Sequence, residues 1–286
     1  MTLIPILMGT LAAGIGSVWL AAALSFGVLS RYTQHMLSLA AGALLATALL
    51  NLLPEAFESG VEAHDLFLVL LLGLVFFFLL DKAELWHHGH EHHHEPHGDS
   101  DAHAPHRTHA AHRGHAHHDH PHEHSHAAHA HGQDRLSGSW AVLAGDSVHC
   151  FGDGILIASA FVADLRLGAL AALAVLAHEV PHHMGDLIVL RRGSGTRRAA
   201  VLKVSLAGAI TALGGLVGYV LVDRLHDYLP YFLAVASSSF IYVALADLIP
   251  QLQKRLSARE TLAQIVWLLV GMGLVTLVST LAHHGH

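Results

Sequence analysis

The stretch Ala177 to Asp186, A-H-E-V-P-H-H-M-G-D, lies inside a run of membrane-crossing length, Leu167–Leu190. Ionisable side chains in such a run are costly unless they pair with one another or bind something. Residues four apart on a helix share a face. His178 and His182 are so spaced, as are Glu179 and His183, and His182 and Asp186. The apolar run just before it, Trp140–Val162, carries a second polar cluster, H-C-F-G-D-G, from His149 to Gly154. There His149 and Asp153 are also four apart. Two adjacent antiparallel helices can therefore bring His149, Asp153, His178 and His182 together. Imidazoles with a carboxylate make a zinc-type tetrahedral set. Glu179 and Cys150 are placed to hold a second cation beside the first, with a shared ligand.

The rest of the chain fits a membrane setting. Its 286 residues are 53% hydrophobic and only 13% charged, and the mean hydropathy is +0.47. Soluble domains carry about 25% charged residues. Besides the two runs above, six more are long enough to span a bilayer: Leu3–Leu29, Gln34–Pro54, His64–Leu80, Ala200–Val222, Leu229–Pro250 and Leu262–Leu281. A span needs about 20 mostly apolar residues. Backbone groups in lipid must bond internally, and these runs do not alternate, so the expectation is an α-helical bundle of eight spans. The first run has no basic residue before it and is too long for a signal peptide, so it reads as a retained helix. Cys150 is the single cysteine, which excludes an internal disulfide and a cysteine-based zinc finger. Nothing points to nucleic acid as a partner, and the bilayer is the surrounding phase.

Three segments of one membrane domain follow from the pattern: helices 1–3 over residues 1–80, a histidine-rich loop over 81–136, and helices 4–8 over 137–286. Of the 15 basic residues, only Arg166 and Arg224 fall in connections on one side, and positive residues collect on the cytoplasmic side. Both termini are then outside and the loop is cytoplasmic, in a bacterial inner (plasma) membrane. Most of the 30 histidines lie between His87 and His131. That stretch has too few large apolar residues to fold. Its clustered imidazoles, among them His92, His93, His94, His117, His118, His120, His122 and His124, suit metal buffering. The second run ends Asn51-Leu52-Leu53-Pro54-Glu55 and the seventh Asp247-Leu248-Ile249-Pro250-Gln251. Similar ends on oppositely directed helices indicate inverted repeats, helices 1–3 and 6–8, around helices 4 and 5.

Other polar residues are candidates for the second position or for a pathway. Asp146 lies near the start of the fourth run, and Asp186 at the inner end of the fifth. His183 faces away from His182. Asn51 and Asp247 lie deep in apolar runs. Glu55 opens an acidic connection, to Asp65, that would concentrate cations outside. A competing reading takes His178-Glu179-x-x-His182 as the H-E-x-x-H of an intramembrane zinc metalloprotease. Pro181 between the histidines, and the extra ligands on the preceding run, oppose it.

Taken together, G-D-S-V-H-C-F-G-D-G and H-E-V-P-H-H-M-G-D resemble the paired fourth- and fifth-helix signatures of the ZIP (Zrt/Irt-like) divalent metal transporters. The similarity is greatest to the branch with a histidine-rich loop, and it covers nearly the whole chain. It implies Zn2+ uptake into the cytoplasm as substrate, with Cd2+, Fe2+ or Mn2+ as further cargo. It implies no organic cofactor, no enzyme activity, a binuclear site, elevator-type movement and a homodimer. By position it places the first metal at His149, Asp153, His178 and His182, and the second at Cys150, Glu179 and the shared His182. Two positions depart from the family pattern: Cys150 stands where Asn is usual, and His183 where Glu is.

Overall fold

A computed structural model describes residues 2–25, 33–89, 130–194, 196–252 and 257–283. All regular structure among them is helical. We number the helices α1 (residues 3–25), α2 (33–58), α3 (Ala63–Gly89), α4 (Ala130–Ala163), α5 (Leu165–Ser194), α6 (Arg197–Arg224), α7 (229–252) and α8 (Ala258–His283). Among the described residues seven of these helices are long and apolar enough to cross a membrane. The eighth expected span is α5. It has 30 residues, about 45 Å at 1.5 Å per residue, but the polar cluster in its middle lowers its hydropathy. The chain is an all-α, multi-pass membrane protein.

The loop boundaries differ from the sequence reading. Helix α3 runs beyond Leu80 to Gly89, and α4 begins at Ala130. The extension begins with Ala83, Glu84 and Leu85, which are good helix formers. Adding residues to an existing helix avoids the cost of a new nucleus, so the helix runs on past its apolar part. The loop positions from His92 to His124 lie outside the described residues.

Helices α2 and α7 share a local device. Each widens to π geometry, over Ala48–Leu52 and Val243–Leu248, just before its Leu-Pro or Ile-Pro pair. A proline ring collides with the carbonyl four residues back and lacks an N–H. For Pro54 and Pro250 those carbonyls belong to Leu50 and Ala246, inside the widened turns. The wider turn moves the carbonyl away.

Helix packing sorts into two groups. Helices α1, α4, α5 and α6 pack on one another, as do α2 on α8 and on α7, and α3 on α7. Contacts of α2 with α5, and of α4 with α7, join the groups. The pattern survives the exchange of α1 with α6, α2 with α7, α3 with α8 and α4 with α5. The matched endings at Asn51 and Asp247 thus have a counterpart in packing. Helices α3 and α8 are outermost and expose Leu71, Phe76, Leu262 and Leu269.

Helix α5 begins with Asp164 as its N-cap, whose Oδ1 accepts from the backbone N–H of Arg166 (2.9 Å) and Leu167 (3.2 Å). With only Asp164 between them, α4 and α5 turn back on each other directly. Helix α6 approaches α4 closely enough that a Cβ on Gly214 would meet the Phe151 backbone, and one on Gly154 the Thr211 carbonyl. Gly214→Val should therefore force α6 off α4 at a cost of about 1–3 kcal/mol. It should lower the thermal unfolding midpoint in detergent. Gly273→Ala, on α8 where nothing lies within 4 Å, should leave the midpoint unchanged.

Candidate metal centre

Helix α5 is packed by α1, α2, α4 and α6, so its middle sees protein on nearly every side. Glu179 is 1% exposed, His178 3% and His183 0%. From α4, Asp146 and Asp153 point into the same interior, each 3% exposed.

These side chains form three groups, in each of which one ligand atom per residue lies within 4.8 Å of the others. The first contains His149, Asp153, His178 and Glu179. His149 Nε2 is 3.3 Å from His178 Nε2, 3.6 Å from Asp153 Oδ2 and 3.3 Å from Glu179 Oε1. His178 Nε2 is 3.5 Å from Asp153 Oδ2 and 3.5 Å from Glu179 Oε1. Four ligands about 2.0–2.1 Å from a tetrahedral zinc are about 3.3–3.4 Å apart. The cluster is near that spacing.

The second group is Asp146, Cys150, Glu179 and His183. His183 Nε2 lies 3.1 Å from Glu179 Oε2 and 3.5 Å from Asp146 Oδ1. The Cys150 thiol donates to Asp146 Oδ1 at 3.6 Å. Glu179 therefore faces the first group with Oε1 and the second with Oε2. Neither oxygen has a hydrogen-bond partner, nor do Asp153 Oδ2, Asp146 Oδ2 or His183 Nε2. Several of these atoms are within ion-pair distance, yet their angles make no hydrogen bond. Buried polar atoms left so are rare and call for an occupant.

The ring tautomers suit such an occupant. His178 Nδ1 donates to the Ala174 carbonyl (3.4 Å), leaving a lone pair on Nε2 toward the cluster. For His183 the argument passes through Ser17 on α1. The Ser17 hydroxyl donates to the Gly14 carbonyl at 2.6 Å. Its single proton is thereby used, so at 3.0 Å it accepts from His183 Nδ1–H. In the neutral ring His183 Nε2 is then the unprotonated nitrogen, facing Glu179 and Asp146. A histidine ligand is commonly fixed this way through its other nitrogen. Gly14 lies in the π turn Ala12–Gly16 of α1. Ser17 escaped the sequence reading, and its one signal was a hydroxyl, shared with Thr10 and Ser25, in a run that is otherwise apolar.

The grouping differs from the spacing-based one in one member. Glu179, not His182, completes the set with His149, Asp153 and His178. His182 turns its Nε2 to Asp146 Oδ1 (3.9 Å) and Asp186 Oδ2 (3.8 Å), although its ring centroid is only 5.5 Å from that of His149. Likewise His183, with Asp146, stands in the second group where a shared His182 was expected. The pathway candidates outside α4 and α5 are in none of the three groups. Asn51 accepts from Ser279 Oγ (2.7 Å) and donates to the Ala46 carbonyl (3.3 Å), so its amide joins α2 to α8. Asp247 is exposed and accepts from Gln251 Nε2 (2.8 Å). Glu55 lines a cleft with Glu58, Ala163 and Leu229.

A family model described as ZIP zinc transporter matches residues 2–279. The chain belongs to the ZIP zinc transporter family. Among curated proteins it is similar to the human zinc transporter ZIP4, 30% identical over 279 residues, which cover 87% of this chain and 42% of that protein. It is 32% identical over 142 residues to the zinc transporter foi of Drosophila melanogaster, covering 49% of this chain and 20% of that one. It is 29% identical over 153 residues to the zebrafish (Danio rerio) zinc transporter ZIP10, covering 51% and 18%. The chain thus spans less than half the length of these relatives.

In this ZIP family member the Ser17–His183 bond should be measurable. Ser17→Ala leaves the buried Nδ1–H without an acceptor, a loss of about 1–3 kcal/mol. Its thermal midpoint should fall, and the rise in midpoint on adding zinc should shrink. Ser17→Thr keeps the oxygen and should retain most of both.

Proposed function

We propose that the protein carries Zn2+ from outside into the cytoplasm through two ion positions between α4 and α5 joined by Glu179. The observation that carries this reading is the buried Glu179 carboxylate, whose two bare oxygens face two ligand groups. The first position is His149, Asp153, His178 and Glu179. The second is Asp146, Cys150, Glu179 and His183, with a thiol that binds as the thiolate, its proton released to water in exchange for the ion. Nitrogen and sulfur donors favour zinc, and Cd2+, Fe2+ and Mn2+ are the other ions such donors admit. No organic cofactor enters the proposal.

The Lys/Arg distribution supports the inward direction, with both chain ends outside and the histidine loop cytoplasmic. On that orientation the cleft lined by Glu55 and Glu58 lies at the outer end, where acidic groups would gather cations. The two packing groups support an elevator-type movement. Ser17 bonds His183, and Arg197 bonds the Ala22 carbonyl (3.3 Å), inside the α1–α4–α5–α6 group. Asn51 bonds Ser279, and Tyr242 bonds Asp81 (3.1 Å), inside the other. Each group is held as a unit, and the first carries the ions. The proposal includes a homodimer in a plasma membrane. The relatives named above are animal proteins, so a bacterial inner membrane gains no support from them. The protease reading needs His178 and Glu179 to serve one zinc with His182. Here His182 turns to another group, and both Glu179 oxygens face ligand clusters.

Radiolabelled zinc uptake into proteoliposomes tests the proposal. His178→Ala should reduce uptake to the level of empty vesicles, and undiminished uptake would contradict it. Deleting Trp86 to His131 should leave uptake standing and change only its dependence on internal zinc. Abolition would place the loop in the pathway.

A further inference from the structure

Five of the chain's 15 basic residues, Arg191, Arg192, Arg197, Arg198 and Lys203, crowd the passage from α5 into α6, and no Asp or Glu stands between Asp186 and Asp223. The other basic stretches assigned to the same side are diluted. Glu260 accompanies Lys254, Arg255 and Arg259, and Lys82 stands between Asp81 and Glu84. The preference for positive residues on the cytoplasmic side is met by either arrangement. What sets the α5–α6 passage apart is positive charge that the neighbouring sequence leaves uncompensated. Arg197 and Arg198 add to it in the first turn of α6, which holds no acid and where the helix dipole is already positive.

The surface that continues from this charge suits a lipid. Arg198 is exposed, and four and eight residues on, along the same face, Leu202 and Leu206 are each 62% exposed. The stripe continues through Leu213, Leu216 and Val220. On a helix long and apolar enough to cross a membrane, such a stripe meets acyl chains. Lys203 is half-buried in the second turn of α6, on the other flank of the stripe. A lysine so placed keeps its ammonium at headgroup level by laying its stem along apolar surface. Arg191 is exposed at the end of α5. Arg197 Nη2 donates to the Ala22 carbonyl at 3.3 Å, which ties the start of α6 to α1.

We propose that this surface binds an anionic phospholipid. Arg198 and Lys203 meet the phosphate, Arg191 adds charge nearby, and one acyl chain lies along Leu202 and Leu206. A zwitterionic lipid offers the same chain and phosphate but brings its own cation, so it gains less from the uncompensated charge. The cytoplasmic leaflet is the anionic one, and the Lys/Arg distribution puts this passage there. Because α5 and α6 both belong to the group with the ligand clusters, the lipid is held by that group.

Thermal unfolding of the purified full chain in an uncharged detergent tests this, with phosphatidylglycerol, phosphatidylcholine of the same chains, or inorganic phosphate added. Phosphatidylglycerol should raise the midpoint, less so at high salt, and the other two should not. In the double variant Arg198→Gln, Lys203→Gln the phosphatidylglycerol needed for half the effect should rise about 30-fold, the loss expected for two basic residues at an anionic surface. Zinc should still raise that variant's midpoint as it does the wild type's, which reports an intact fold. The charge-keeping pair Arg198→Lys, Lys203→Arg should retain most of the lipid response. Equal wild-type responses to the two lipids, a response to phosphatidylglycerol indifferent to salt, or an unchanged response in the Gln variant would overturn the proposal. A response to inorganic phosphate equal to that of phosphatidylglycerol would overturn it too, since the ligand would then be a soluble anion.

Discussion

A carboxylate at the middle of a membrane helix, with its two oxygens in different clusters and no hydrogen bond to either, is the constraint on which the rest of this molecule depends. An unpaired charge in a low-dielectric interior costs several kcal/mol even after relaxation. Around Glu179 the chain gathers histidine rings, two of them turned lone pair inward, and further carboxylates. That arrangement carries donors and negative charge, and none of the three ligand groups contains a Lys or Arg side chain that would neutralise it. A divalent cation would supply both the charge and the missing partners. The fold serves this by surrounding α5 with other helices, so that its polar middle avoids lipid.

The same constraint explains the backbone. Helices α4 and α5 are joined through one capped residue, Asp164, which fixes their antiparallel direction and hence which ligands meet. Glycines at Gly154 and Gly214 let α6 close against α4 behind the ligands. The π turn in α1 places the Gly14 carbonyl where Ser17 can use it and still accept from His183. In α2 and α7 the π turns before Pro54 and Pro250 let long helices pass a residue that would otherwise break their hydrogen bonding. These two helices belong to the group apart from the cluster, and their polar residues bond within it. Asn51, a pathway candidate by its depth in the sequence, ties α2 to α8 through Ser279.

Much of this was legible in the residues themselves. Run lengths gave the helices, because lipid leaves an apolar segment little other choice. Spacing of four gave the faces on α4 and α5. What spacing could not give was the neighbour of each face. Spacing pairs His182 with both His178 and Asp186, and nothing local says which of the two it meets. The placement of the adjacent His183 depends on α1 and Ser17, some 166 residues away. The edges of the histidine loop were missed for a different reason. Hydropathy reports where lipid ends, whereas helix formers such as Ala83, Glu84 and Leu85 carry the helix on into water. Helix α5 shows the opposite conflict: its ligands lower the hydropathy that would mark it as a span, though contacts with α1, α2, α4 and α6 enclose its polar middle.

Cadmium NMR on the purified protein addresses the shared carboxylate most directly, since the resonance position reports whether sulfur is among the ligands. The wild type should show a thiolate-shifted resonance, absent in Cys150→Ser, together with a nitrogen–oxygen resonance from the neighbouring position. Glu179→Gln should displace or abolish both at once. If Glu179→Gln leaves both resonances in place, Glu179 does not join two ions and the central claim is wrong.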